Sequence, residues 1–146
     1  MALTTFGAIM GFAGEMLRRT GDVYQAAAQK ARNPSLRNAF HTLLTEERKN
    51  RSLMETTRRE NVTEMILEPI SGLRQEDYET DIHVGDETDD AGLLKVALTC
   101  EALERKFFSE VSAKIPLPEV ARIFRKMVQQ KESNIARLKS LESIKA

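Results

Sequence analysis

The sequence predicts an all-α protein: a bundle of four long helices made from two helical hairpins, with a long crossover between the second and third helices. Three observations predict it. Four long segments free of internal proline carry apolar residues at alternating spacings of three and four. Proline or acidic, turn-rich stretches separate them, and nothing reads as a strand. The 146 residues suffice for one domain with a sizeable core, and no composition break marks a second, so a single domain over 1–146 is expected.

The first helix is expected from about Thr4 to Ala31. Asn33-Pro34-Ser35 is a cap followed by proline, which starts the second helix and lets it run to about Asn61. These two form the hairpin 4–61. The crossover 62–90 holds Pro69, Gly72, Gly85 and many acidic residues, with room for a short helix of its own. A third helix follows from Asp90 to Ile115, Pro116-Leu117-Pro118 breaks it, and a fourth reaches about Ser143, giving a second hairpin over 90–143.

The inward stripes can be read from spacing. They are Leu36, Phe40, Leu43, Glu47, Asn50 and Met54 on the second helix, and Leu94, Ala97, Glu101, Glu104, Phe108 and Val111 on the third. The fourth helix gives Val120, Phe124, Met127, Lys131, Asn134, Leu138 and Leu141. Each stripe is apolar at both ends and polar in the middle.

Composition excludes several classes. Lys+Arg and Asp+Glu are equal at 22 each, so no basic excess marks nucleic acid as a partner. Arg18–Arg19 and the Arg48, Lys49, Arg51 group read as solvated helix faces. Cys100 is the single cysteine, which leaves no intrachain disulfide or cysteine-rich metal site and suits a cytoplasmic location. The apolar start, Ala2 to Ala13, lacks a basic flank and runs into Glu15, Arg18 and Arg19 without a clear cleavage site, so it reads as a buried helix. No apolar run is long enough to span a bilayer, and no membrane partner is expected.

The chain also repeats itself. A shift of 84 residues, without a gap, carries Pro34 onto Pro118, Phe40 onto Phe124, Leu43 onto Met127, Tyr24 onto Phe108 and Leu17 onto Glu101. The same shift carries Glu47 onto Lys131, Asn50 onto Asn134 and Met54 onto Leu138. This spacing, over all four helices but not the crossover, resembles the rubrerythrin branch of the ferritin-like family.

That resemblance implies a di-iron site, with a Glu from the first helix of each hairpin and a Glu-x-x-His from the second. Position by position, Leu17 stands where a ligand Glu belongs, Glu47 and Glu101 keep theirs, Lys131 replaces a Glu, and Asn50 and Asn134 replace the two His. Phe12-Ala13-Gly14-Glu15 looks like a first-helix phrase of that family and would restore Glu15 as a ligand. That register throws Tyr24 and Pro34 out of step by two residues, a rotation of roughly 200° around the helix, so the proline-and-aromatic register is preferred.

An ammonium has no lone pair to offer a metal and repels a cation, and asparagine ligates weakly and without charge, so resident iron is not expected. The expected arrangement is Lys131 between Glu47 and Glu101, with Asn50 and Asn134 completing the hydrogen bonds. The leading expectation is a metal-free, non-catalytic binding or structural protein, a homodimer by resemblance. The competing one is a non-haem iron redox protein, reducing peroxide or oxidising iron through Glu15, Glu47, Glu101 and Glu104. A third is a small-ligand binder that admits an anion against Lys131.

Glu104 reads as a partly exposed partner of a Lys or Arg. His41 reads as a rim histidine. His83, with Asp81, Asp86 and Asp89, reads as a solvated acidic loop without the spacing of a calcium loop. Gly7, Gly11 and Gly14 suit either tight packing within the chain or a dimer face. No phosphate loop, Ser/His/Asp signature or nucleophilic cysteine context is visible.

Overall fold

A computed structural model describes residues 1–61 and 69–144; the part of the expected crossover over 62–68 lies outside them. Among the described residues four α-helices form: α1 Phe6–Lys30, α2 Pro34–Glu60, α3 Asp90–Lys114 and α4 Pro118–Ile144. The starts and ends of α3 and α4 are those of α1 and α2 displaced by the same 84 residues that separate Glu47 from Lys131. The helices pack as the pairs α1–α2 and α3–α4, two hairpins laid against each other.

Local chemistry explains the boundaries. Thr5 caps α1 by accepting from the Ala8 amide, and Asn33 caps α2 by accepting from Ser35 and Leu36, with Pro34 at the first helical position. Asp89 caps α3 through the Gly92 amide at 2.8 Å, and Asp90 accepts from the amides of Arg32 and Asn33, which ties α3 to the turn of the first hairpin. Asp86 pairs with Lys30. Three of the acidic crossover residues are thus committed to caps and ties. His83, Asp81, Asp86 and Asp89 are all exposed, as is His41.

The described part of the crossover runs along α3 and pairs with residues 1–4. The Leu3 amide donates to Leu73, Ile70 to Thr4 and Gln75 to Met1, each at 2.9 Å, around an isolated bridge between Ala2 and Arg74. Gly72 makes the bend with φ +86°, and a Cβ there would lie 2.6 Å from the Lys114 ammonium, which binds the Ser71 carbonyl. A short 3₁₀ helix, Gln75–Tyr78, seats Tyr78 against Phe12 and Phe107. This is the short crossover helix the sequence left room for.

Every residue of the stripes on α2 and α3 is buried, and on α4 only Leu141 is half-buried. The apolar core divides in two. One cluster gathers Leu17, Met54, Phe108, Phe124 and Met127, and the other Tyr24, Phe40, Leu43, Ala97 and Leu138. The polar middles of the helices lie between them. Packing repeats with the sequence: Tyr24 tilts on Phe40 with ring centres 5.8 Å apart, and Phe108 on Phe124 at 5.6 Å. Among the described residues no helix is long and apolar enough to cross a membrane.

Candidate functional site

The polar layer is built from all four helices. Lys131 on α4 is 0% exposed, and its Nζ lies 2.8 Å from Glu47 Oε1 on α2, 3.2 Å from Glu101 Oε2 and 2.8 Å from Glu104 Oε1 on α3. Glu47 and Lys131 are counterparts in the two hairpins and touch each other, so they lie at the axis that relates the halves. The expected Glu–Lys–Glu cluster is present, with one member more than expected. Glu104 is not the half-exposed partner of a surface cation; it is 1% exposed and shares Lys131. Burial of a third carboxylate is tolerable because the ammonium is already inside.

Glu101 is held most completely. It accepts from Tyr24 Oη at 2.6 Å, from Asn134 Nδ2 at 2.8 Å and from Lys131. Tyr24 entered the sequence reading only as a register marker, yet its hydroxyl is the polar group that distinguishes it from its counterpart Phe108. Asn134 bridges onward to Glu46 at 2.7 Å. Asn50 does not reach the cluster. It donates to Gln130 at 2.8 Å, and since Gln130 is the counterpart of Glu46, this bond is the symmetry mate of Asn134 to Glu46. An amide at this position reaches across to the opposite hairpin, and only in the second half does it also touch a cluster carboxylate.

Three carboxyl groups face one ammonium: Glu104 Oε1 has only the Lys131 ammonium at 2.8 Å, and Glu47 Oε2 and Glu104 Oε2 lack a hydrogen-bond donor. Burial, then the neighbouring Glu104, pushes the Glu47 carboxyl well above its ordinary range despite Lys131. Burial likewise raises Glu104, against the pull of Lys131. Burial thus favours a proton on Glu47, which supplies one of the missing donors. For Lys131, burial alone favours the neutral amine, but Glu104, Glu47 and Glu101 outweigh it and hold the ammonium charged well above the usual lysine range. Cys100, beside Glu104, is raised by burial and is a neutral thiol rather than a nucleophile.

Glu47, Glu101 and Glu104 bring ligand oxygens within 4.8 Å of one another, which is the geometry of a cation site. The cation is Lys131. Its ammonium contacts all three carboxyl groups at hydrogen-bond distance, and imidazole is absent from the group, so the donor set does not fit a resident di-iron centre. The same contacts leave Lys131 no free donor for an anion. The remaining positions fall outside. Leu17 is buried in the apolar cluster, while Glu15 is exposed and bound to Arg18 at 2.6 Å, so the register that places position 17 inward is the one that folds.

No family model matches the sequence, and no curated protein matches it. Solved structures do. A hypothetical protein of Pyrococcus furiosus superposes with a TM-score of 0.70 at 16% identity, covering 93% of this chain and 87% of its own. A candidate spore coat protein of Bacillus halodurans C-125 gives 0.72 at 16% identity, over 97% and 89% of the two chains. CopM in its Cu(I)-bound form gives 0.65 at 12% identity, over 92% and 95%. The chain is therefore similar in fold, over nearly its whole length, to solved structures with which it shares little sequence.

Proposed function

We propose that this chain is a ferritin-like bundle of the rubrerythrin kind in which a lysine has taken the place of the metal, leaving a non-catalytic, metal-free binding or structural protein. The observation that carries the reading is Lys131 Nζ, buried at 2.8–3.2 Å from three carboxyl groups at the axis of a duplicated bundle. A fixed internal cation needs no loading and undergoes no redox change. It also holds the two hairpins together from the inside, which suits a scaffold. A cytoplasmic homodimer completes the proposal. The face carrying Gly14, where an added Cβ meets nothing within 4 Å, is its candidate contact, and sedimentation of the purified chain reads the state directly.

The test is elemental analysis of protein purified without chelator. Less than about one-tenth equivalent of iron, manganese, zinc or copper per chain is the expected result, and one or two tightly held ions per chain would overturn the reading. The competing reading, a non-haem redox protein, is favoured by the closeness of Glu47, Glu101 and Glu104, with Lys131 swinging away on metal binding. CopM was solved with Cu(I), but the three carboxylates here are hard ligands, whereas Cu(I) selects thiolate and thioether sulfur.

A further inference from the structure

A cavity of about 200 Å³ opens between α1, α3 and the crossover, and it ends against the buried cluster. Its floor contains Thr20 from α1 and Glu104 from α3, which are counterparts under the 84-residue repeat. Both are more than nine-tenths buried. Among the described residues the Thr20 hydroxyl makes no hydrogen bond, whereas Thr42, Thr45 and Thr99 each bond the carbonyl four residues back. Glu104 Oε2 likewise has no donor. The cavity is therefore lined by a hydroxyl without a hydrogen-bond partner among the described residues and by a carboxyl oxygen without a donor.

The charge of the surroundings sets the sign of what would bind. Three carboxyl groups face the single ammonium of Lys131, so acceptor oxygens outnumber the cationic donors at the floor. The mouth adds Glu79 and Asp81; Arg19 pairs with Glu79 at 3.3 Å, and Asp81 is exposed. Between floor and mouth the walls are Met16, Val23, Ile82 and Leu103. An acidic floor, an apolar middle and an acidic mouth match a molecule cationic at both ends and aliphatic between. The volume falls below the ~300–1,000 Å³ of sites for larger ligands.

We propose that this cavity binds a short aliphatic diamine, with one ammonium on Glu104 and Thr20, the methylenes along Met16 and Leu103, and the second ammonium on Asp81. The proposal names the ligand class for the binding role proposed above and rests on it. Its failure would leave the metal analysis untouched, so the two are separately refutable.

Calorimetry with 1,4-diaminobutane, butylamine and butyrate on the intact chain tests it. Saturable one-to-one binding of the diamine is expected, about threefold tighter than butylamine, the modest gain of one exposed ion pair, with no heat from butyrate. Thr20→Val should weaken both amines by about tenfold, the loss of one buried hydrogen bond. Asp81→Asn should erase the advantage of the diamine alone, and Leu103→Trp, which fills the cavity, should abolish binding. Glu104 is left in place because it also holds Lys131. No binding up to about 10 mM, butyrate binding as well as the amines, or affinity unchanged in Thr20→Val and Leu103→Trp would each overturn the assignment.

Discussion

The two hairpins share helix boundaries and aromatic packing, yet they bring different chemistry to the middle of the bundle. In the second, Glu101, Glu104 and Lys131 are ionisable side chains that meet in the buried cluster. In the first, their counterparts are Leu17, Thr20 and Glu47. Tyr24 binds Glu101 on one side of the axis, while on the other the counterparts Phe108 and Leu17 belong to an apolar cluster. A duplicated backbone can therefore lose half of a polar site by replacing Glu with Leu and Tyr with Phe together, because neither is left without a partner. What it cannot lose alone is the cation.

The largest expected effect follows from that. Lys131→Ala leaves three buried carboxyl groups without their ammonium and should cost about 3 kcal/mol or more, read by urea unfolding at pH 7. Replacing Lys131, Glu47, Glu101 and Glu104 together by apolar residues of similar volume should restore most of that stability. A Lys131→Ala protein as stable as the parent would mean the halves do not depend on the shared charge.

A smaller effect sharpens the contrast between the two sides of the axis. Leu17→Glu buries a carboxyl in an apolar cluster and should cost about 2 kcal/mol, in the range of an unsatisfied buried polar group. Adding Phe108→Tyr, which recreates the Tyr–Glu pair of the other side, should recover part of it. Equal stability of the single and double variants would show that the halves are not equivalent at this level.

The smallest expected effect is Glu47→Gln, at less than about 1 kcal/mol at pH 7, because burial favours the protonated Glu47 carboxyl and an amide can donate in its place. Its pH dependence has a defined sign. A carboxyl whose folded value is raised keeps its proton after the unfolded chain has lost it. Its contribution is therefore complete below about pH 4.5 and is lost as pH rises toward the folded value. Melting temperatures measured from pH 4.5 to 8 should move steadily against the parent relative to Glu47→Gln. Divergence in the other direction would place an ionised carboxylate at Glu47.

The helices were legible because prolines, caps and stripe spacing agree, and the Lys131 position was legible because the repeat aligns it with Glu47. Glu104 was misjudged although it stands on the inward stripe of α3 at the right spacing. A charged side chain is rarely buried completely, and that expectation outweighed geometry. Only its place three residues from Glu101, opposite a buried lysine, reverses the balance. Asn50 was assigned to the cluster by analogy with Asn134, but its partner Gln130 lies off the stripe that spacing can read. Cavities such as the one beside Thr20 depend on how the crossover drapes over α3, which periodicity does not describe.

The contact between Glu47 and its own counterpart also bears on assembly. Because the two hairpins have the same length and register, nothing in their backbones prevents a hairpin from pairing with its identical copy in another molecule. Such a pair would set lysine against lysine, or glutamate against glutamate, in a place without water to screen them. Only the unlike combination sets Glu47 against Lys131, an ion pair that favours the chain's own second half over exchange between molecules.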